Sequence, residues 1–169
     1  YRQESQGSKD TKERLVQILE LAVRFYEHQL WEGAGKVKAL PYLRQRGLAD
    51  ETIRKFRLGY APDGWRYFRD FAESKGYTVS ELETVGMIIA KAETADGVPA
   101  SLGKAYDRFR DRIMFPITDI LGRPIGFSAR VAPGGDESQA KYINTPESPL
   151  YHKSRALYGL SWAKQAMKQ

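Results

Sequence analysis

The sequence contains no cysteine, which excludes disulfide bonds and thiolate metal sites. Histidine is scarce: we expect His28 at the rim of a helix, whereas His152 fits a structural hydrogen bond as well as a ligand contact. No apolar run approaches the roughly 20 residues that a membrane-spanning helix requires, and no signal peptide opens the chain. A glycine-rich phosphate loop of the GxxxxGK type is also missing. These absences fit a cytoplasmic protein with no membrane partner.

The charge balance is moderately basic, with 27 lysines and arginines against 21 acidic residues. The resulting net charge of +6 favours a polyanionic partner without identifying it. A hydrophobic fraction of 41% over 169 residues is enough for one globular domain or two small lobes. The chain starts at Tyr1 rather than at methionine and ends in a helix-like stretch. We therefore expect it to be part of a larger protein, with residues 1–10 as a flexible linker remnant and residues 11–169 as one lobe.

The first half of the chain has the periodicity of helices. Leu15, Ile18, Leu19 and Ala22 recur at intervals of three and four residues, which predicts an apolar helix face. Capping residues, glycines and apolar spacing predict helices over Thr11–Trp31, Lys36–Gln45, a short segment capped by Asp50, Trp65–Lys75, and a segment with Ser80 and Glu83 as a capping box. Gly47 is expected to end the second helix in a left-handed conformation.

The second half has the pattern of strands. Ile113, Phe115 and Ile117 alternate with other residues, which predicts a strand with one buried face. A turn over Asp119–Arg123 returns the chain into a second strand, Pro124–Val131. The remaining expectations are an edge strand over Met87–Lys91, a mobile loop over Glu93–Gly103, a third strand over Ala140–Asn144 and a closing helix over Ser154–Lys168. The predicted class is α+β, with a helical N-terminal half followed by a small, mostly antiparallel sheet and a closing helix.

Basic and aromatic side chains crowd this predicted sheet. Arginine grips phosphate with a fork of donors, and a tyrosine ring packs against a sugar or base. The candidate nucleic-acid or nucleotide-binding residues are Arg108, Arg112, Arg130, Lys141, Tyr142, Asn144, Lys153 and Lys55. An ordinary solvated face is the alternative for the arginines, and Tyr142 fits the core equally well. Arg110 alternates with its neighbours and is expected to point the other way. Asp107 and Asp111 are expected to pair with the flanking arginines rather than to bind metal.

Several sequence motifs resemble bacterial-type DNA primases, the DnaG family. They are YLRQRGL (Tyr42 to Leu48), FRLGYAPDGW (Phe56 to Trp65), YDRFRDRIMFPI (Tyr106 to Ile117), GRPIGFSARV (Gly122 to Val131) and KYINTPESPLYHKSRALYGL (Lys141 to Leu160). They occur in the family's order and spacing and cover most of the chain beyond the first helix. Ser128 and Ala129 depart from the pattern, because the family usually carries two glycines there.

The resemblance implies the N-terminal lobe of the RNA polymerase domain, the catalytic core. Such primases also carry a zinc-ribbon domain, a Toprim lobe that binds Mg or Mn, and a helicase-binding domain. The resemblance places Arg108, Arg112 and Arg130 in a basic groove, together with Lys153 and the cluster of Lys141, Tyr142 and Asn144. Lys55 either extends this groove from the helical half or is an ordinary surface residue. The implied partners are single-stranded DNA template, ribonucleoside triphosphates, an RNA–DNA hybrid and, through another domain, the replicative helicase in the nucleoid.

This lobe is therefore expected to supply no catalytic residue, metal or other cofactor, and to synthesise nothing alone. Two alternatives stay open. The chain could be a non-catalytic module that binds nucleic acid or a replication partner, or it could come from a phage or plasmid primase.

Overall fold

The structure is a computed structural model that describes residues 6–90, 104–136 and 138–152. Its helices are α1 (Gln6–Trp31), α2 (Gly35–Lys38), α3 (Leu40–Gln45), α4 (Asp50–Lys55), α5 (Tyr67–Ser74) and α6 (Val79–Thr84). Its strands are β1 (Gly59–Ala61), β2 (Ile88–Ile89), β3 (Tyr106–Asp107), β4 (Arg112–Thr118), β5 (Pro124–Val131) and β6 (Tyr142–Asn144). Helices followed by antiparallel strands confirm the α+β class. The predicted closing helix and the predicted loop over Glu93–Gly103 lie outside the described residues.

Helix α1 is longer than the sequence indicated. The predicted start at Thr11 is wrong, because the helix already includes Gln6. The Thr11 hydroxyl donates a hydrogen bond to the carbonyl of Gly7 at 2.8 Å, inside the helix, instead of capping its end. Threonine can bond to the carbonyl four residues earlier in this way without ending a helix. The predicted apolar face is confirmed, since Leu15, Ile18 and Leu19 are buried.

The predicted helix over Lys36–Gln45 is two short helices. Ala39 separates them with φ −121°, and Pro41 falls in the first turn of α3. Proline has no N–H and crowds the preceding turn, so it starts a helix more readily than it continues one. Gly47, with φ +91°, ends α3 in the left-handed region as predicted.

Two helix caps predicted from the sequence are not formed by the predicted residues. The Asp50 side chain does not cap α4 but accepts two hydrogen bonds from Arg44, at 2.8 and 2.9 Å. The capping box of α6 uses Thr78 and Glu81 rather than Ser80 and Glu83. In α6 the error arises because Thr78 and Ser80 both fit the cap pattern. In α4 the N-cap residue is Ala49, which makes no side-chain cap.

The main sheet is antiparallel with strand order β1-β4-β5-β6, and β2 pairs with β3 separately. The predicted hairpin of β4 and β5 is confirmed, and its register runs through Ser128 and Ala129 without interruption. Strand β1 was not predicted. The expectation of one buried face was wrong, because six of the seven residues of β4 are buried. Helices cover both faces of the sheet: α1 lies against one, the α1 face, and α3 against the other, the α3 face.

The α1 face carries Met114, Phe127 and Ala129, which share a core with α1 and α5. The α3 face carries Ile113, Phe115 and Ile117, which share a second core with α3 and α4. The sheet is therefore a middle layer, and side chains at the β6 end of its α3 face lie beside the short helices. Within the described ranges, none of the helices has the length and apolar character needed to cross a bilayer.

Candidate nucleic-acid interface

Arg130 on β5 stacks on a ring from the helical half of the chain. Its guanidinium carbon lies 4.7 Å from the centre of the Tyr42 ring on α3. Arg46 approaches the same ring at 5.4 Å, and its Nε donates to the Tyr42 hydroxyl at 3.2 Å. A guanidinium over an aromatic face is attracted by the ring quadrupole. The ring thus holds two positive charges at the junction of α3 and the sheet.

Arg130 and Lys141 line the same cavity, which has a volume of about 380 Å³. The other lining residues are Val131, Ala132, Pro133, Gly134, Gly135 and Gln139. Tyr142 lies directly opposite Arg130 in the β5–β6 ladder, and Asn144 lies opposite Ser128. Residues directly opposite in an antiparallel pair share one face of the sheet. The structure therefore brings Arg130, Lys141, Tyr142 and Asn144 to one end of the sheet.

Tyr142 is partly buried and packs against the same core as Tyr42 and Phe56. Its two predicted roles, core packing and ligand contact, are therefore compatible with its position. Lys141 and Asn144 are exposed. The cluster combines an exposed ammonium, a partly buried aromatic ring and an exposed amide. These groups can contact a phosphate, pack against a sugar or base, and form a hydrogen bond, respectively.

Arg112 occupies a different environment from the other candidates. Its side chain is buried, with 3% of the residue exposed. The guanidinium donates to the carbonyl oxygens of Ala129 and Lys141, both at 3.3 Å, and of Ala140 at 2.9 Å. Burial, together with the positive charge of Arg110, lowers the pKa of Arg112 from its ordinary value. This geometry favours a role in holding backbone over direct contact with phosphate.

The remaining candidates lie apart from the Arg130 cavity. Arg108 is half-buried, and its Nε donates to the carbonyl of Gly86 at 2.7 Å, beside the β2–β3 pair. Burial lowers the pKa of Arg108. Lys55 is exposed at the end of α4, with its Nζ 5.8 Å from the Phe56 ring centre. Neither residue lines the Arg130 cavity. Lys153 lies outside the described residues.

An exposed aromatic residue, Trp65, was not singled out from the sequence. It is 63% exposed and lies in the bend before α5. The guanidinium carbon of Arg110 lies 4.3 Å from the Trp65 ring centre and 5.2 Å from that of Tyr106. The only signal in the sequence was a tryptophan directly after the Pro62–Gly64 turn. Arg110 therefore belongs among the candidates, together with Trp65.

Trp65 and Arg110 line a second cavity of about 360 Å³. Lys38, Asp111 and Arg112 also border it. Val131, Gly134, Gly135 and Gln139 contribute to both cavities. The loop between β5 and β6 thus separates two adjacent recesses, each with an arginine that stacks on an aromatic ring.

The prediction that Asp107 and Asp111 form ion pairs with the flanking arginines is wrong. Asp111, with φ +49°, accepts from the Tyr60 hydroxyl at 2.6 Å and lies 3.5 Å from the Lys38 ammonium. Asp107 accepts from the backbone amides of Phe68 and Arg69 at the start of α5. Burial raises the pKa of Asp107 to about 6. Both carboxylates are therefore held by structural contacts.

In the parts of the chain that the structure describes, no three histidine, cysteine, aspartate or glutamate side chains converge as metal ligands would. The described residues therefore do not fit the magnesium or zinc that the resemblance implies for the family.

The model of the family described as "DNA primase catalytic core, N-terminal domain" matches residues 25–164 of the chain. The chain belongs to this family. A DNA primase from Synechocystis is 42% identical over 170 residues, which cover 99% of this chain and 25% of the relative. The chain therefore spans about a quarter of the length of that curated relative.

Solved primase structures share the fold. The structure of a DnaG primase catalytic domain bound to ssDNA matches with a TM-score of 0.73 and 36% identity, over 93% of this chain and 45% of that one. The RNA polymerase domain of Mycobacterium tuberculosis DnaG, in complex with a double-stranded DNA oligomer with an overhang, matches with a TM-score of 0.72 and 33% identity. That match covers 85% of this chain and 41% of the other. The family and the fold expected from the sequence motifs are confirmed.

Proposed function

We propose that the chain is the N-terminal lobe of the catalytic core of a DNA primase, which synthesises RNA primers on single-stranded DNA. The lobe forms one wall of the cleft and binds the template through its phosphate backbone. The observation that carries this proposal is the shared cavity of Arg130 and Lys141, with the Tyr42 and Tyr142 rings beside it. A relative of the same fold bound to ssDNA supports it.

Template binding in this proposal is independent of base sequence. Arg130 and Lys141 would neutralise phosphates, because an ammonium and a guanidinium contact phosphate oxygens in any sequence. Tyr142 and Trp65 would offer rings to bases or sugars, since every base has a face that can stack. Asn144 would add a hydrogen bond to sugar or base.

The active polymerase needs more than this lobe. Primer synthesis requires ribonucleoside triphosphates and divalent metal held by carboxylates, and the described residues offer positive charge but no carboxylate cluster. In our proposal the metal is held by the Toprim lobe of the parent protein, and zinc by its zinc-ribbon domain. The RNA–DNA hybrid would occupy the same cleft, and the replicative helicase would bind through another domain.

Substitution of the cavity cations tests the proposal. We expect Lys141→Ala and Arg130→Ala each to weaken binding of a labelled single-stranded oligonucleotide about tenfold, measured by fluorescence anisotropy. The loss should be the same for several template sequences, and each variant should lower the slope of log affinity against log salt by about 0.7. A matched control is Arg24→Ala, which removes one exposed charge from α1, a helix that packs against the other face of the sheet.

Wild-type affinity in both cavity variants would contradict the proposal, as would a loss confined to one template sequence. The same substitutions in the parent primase should reduce primer synthesis, while the 169-residue chain alone should synthesise none.

A further inference from the structure

We infer that Arg112 is a positioning residue, whose buried guanidinium fixes the backbone at Ala140 and Lys141 and so aims the Lys141 side chain into the cavity. This inference rests on the proposed function, because it concerns how Lys141 is presented to DNA. It assigns Arg112 a different role from the direct phosphate contact predicted from the sequence.

The contacts of Arg112 converge on the segment that carries Lys141. One terminal nitrogen donates to the carbonyl of Lys141 and the other to the carbonyl of Ala140, at 3.3 and 2.9 Å. The first nitrogen also donates to the carbonyl of Ala129 on β5 at 3.3 Å. A single side chain on β4 therefore reaches past β5 to hold the start of β6.

The backbone of this segment is hydrogen-bonded to the sheet from one side, although Tyr142 and Ile143 also pack against the two cores. Within the described ranges, strand β6 spans Tyr142–Asn144, lies at the edge of the sheet and pairs on one side. The carbonyl of Lys141 accepts a backbone hydrogen bond from the amide of Val131 at 2.9 Å. An edge strand this short is held weakly by the few backbone hydrogen bonds to its neighbouring strand. The two further bonds from Arg112 are thus a large share of what fixes the backbone at Lys141.

The burial of Arg112 argues against direct contact with DNA. Although the residue borders the second cavity, only 3% of it is exposed. Among the residues that the structure describes, no carboxylate lies within ion-pair distance of its guanidinium, so carbonyl oxygens satisfy the buried charge instead. The planar fork of arginine can serve several carbonyls at once, whereas a lysine ammonium is a single point of donation.

A double-mutant cycle between Arg112 and Lys141 tests this coupling in the full chain. The variants are Lys141→Ala, Arg112→Met and the double substitution, and the readouts are affinity for a labelled single-stranded oligonucleotide and its salt dependence. If Arg112 acts through Lys141, Arg112→Met weakens binding about as much as Lys141→Ala, roughly tenfold, and the double variant is no weaker than either. The salt slope then falls once, by about 0.7, and not twice.

Other outcomes separate the inference from the proposed function. If the two losses multiply to about a hundredfold in the double variant, and each substitution lowers the salt slope separately, Arg112 contacts DNA directly. That result would overturn the inference but not the proposed function. An Arg112→Met variant that folds and binds like the wild type would also overturn the inference. Wild-type binding by Lys141→Ala alone would overturn the inference, whereas wild-type binding by both Lys141→Ala and Arg130→Ala would overturn the proposed function as well.

A second variant guards against simple misfolding. Arg112→Lys keeps the charge and much of the volume but cannot serve all of the carbonyls, so we expect a folded protein with a smaller loss of affinity. In this variant, amide hydrogen exchange should be faster at residues 140–142 than in the wild type, while exchange in α1 stays unchanged. Unchanged exchange at residues 140–142 would contradict the positioning role.

Discussion

The Arg130 guanidinium on the sheet lies 4.7 Å from the centre of the Tyr42 ring on α3. This contact joins the helical and strand halves of the chain at the cavity that Lys141 shares. A long arginine side chain has many rotamers, and a ring beneath it restricts them. We therefore regard Tyr42 as the support that holds Arg130 toward the cavity.

Removing the Tyr42 ring should weaken DNA binding, although the ring itself need not touch DNA. We expect Tyr42→Leu to lower affinity about threefold, in line with the ~0.5–1 kcal/mol of an exposed cation–ring contact. Tyr42→Phe keeps the ring and loses only the hydrogen bond from Arg46, so it should bind nearly as the wild type does. Equal losses in both variants, measured by anisotropy, would show that the hydroxyl rather than the ring matters.

Trp65 offers an exposed ring beside Arg110 and should stack on a base. We expect Trp65→Ala to reduce the free energy of single-strand binding by about 1–3 kcal/mol, and Trp65→Phe by less. Tyr77→Ala is a matched control, because the Tyr77 ring also carries an arginine, Arg14 at 4.8 Å, but lines a recess on α1. Similar losses in Trp65→Ala and Tyr77→Ala, measured by anisotropy, would contradict a specific role for Trp65.

Asp107 should make folding stability depend on pH. Burial raises its pKa from 3.8 to about 6, although hydrogen bonds from the amides of Phe68 and Arg69 oppose the rise. Because the folded protein holds this proton more tightly than the unfolded chain, the stabilisation is present below about pH 4 and is lost as pH rises to about 6. The pH dependence of stability from Asp107 has the opposite sign to that from Glu20. The pKa of Glu20 is lowered, mainly by its hydrogen bond with Arg57.

The Asp107→Asn variant isolates this effect. Between about pH 4 and pH 7, the unfolding free energy of the wild type should fall relative to that of the variant by up to about 3 kcal/mol. Chemical denaturation of both proteins across this range gives the difference directly. A difference that stays constant, or that grows with pH, would contradict the raised pKa.

Gly59 lies where the sheet approaches the backbone of α1 closely. A Cβ atom added there would lie 2.7 Å from the Tyr26 carbonyl carbon, a backbone atom that cannot move aside. We expect Gly59→Ala to destabilise the fold by more than about 2 kcal/mol. Gly7→Ala is the control, since its Cβ would meet open space in the first turn of α1 and should not destabilise the fold. A neutral Gly59→Ala, measured by thermal or chemical unfolding, would argue against this packing.

Local patterns account for the parts of the fold that could be predicted. The β4–β5 hairpin follows from alternation around a turn in one continuous stretch, and the apolar face of α1 follows from its spacing. Strand β1 was missed because Gly59–Ala61 is too short to show a period, and its pairing with β4 decides its conformation. The cap of α6 also moved, because neighbouring polar residues compete for the same amides.

The candidate site was predictable only where its residues are close in sequence. Lys141, Tyr142 and Asn144 form a visible cluster, and the structure places Arg130 beside them. Tyr42 escaped notice as a site residue because it reaches Arg130 only through the packing of α3 on the sheet. The burial of Arg112 was equally hidden, since its carbonyl partners are set by the pairing of β5 with β6.

The most direct test of the central claim is to map where single-stranded DNA touches the chain. An isotope-labelled protein titrated with an oligonucleotide at low salt reports contact at each backbone amide by NMR. The account predicts the largest shifts at Arg130, Lys141 and Tyr142, with smaller shifts around Trp65. Shifts concentrated on the outer side of α1, with the amides of Arg130, Lys141 and Tyr142 unmoved, would contradict it.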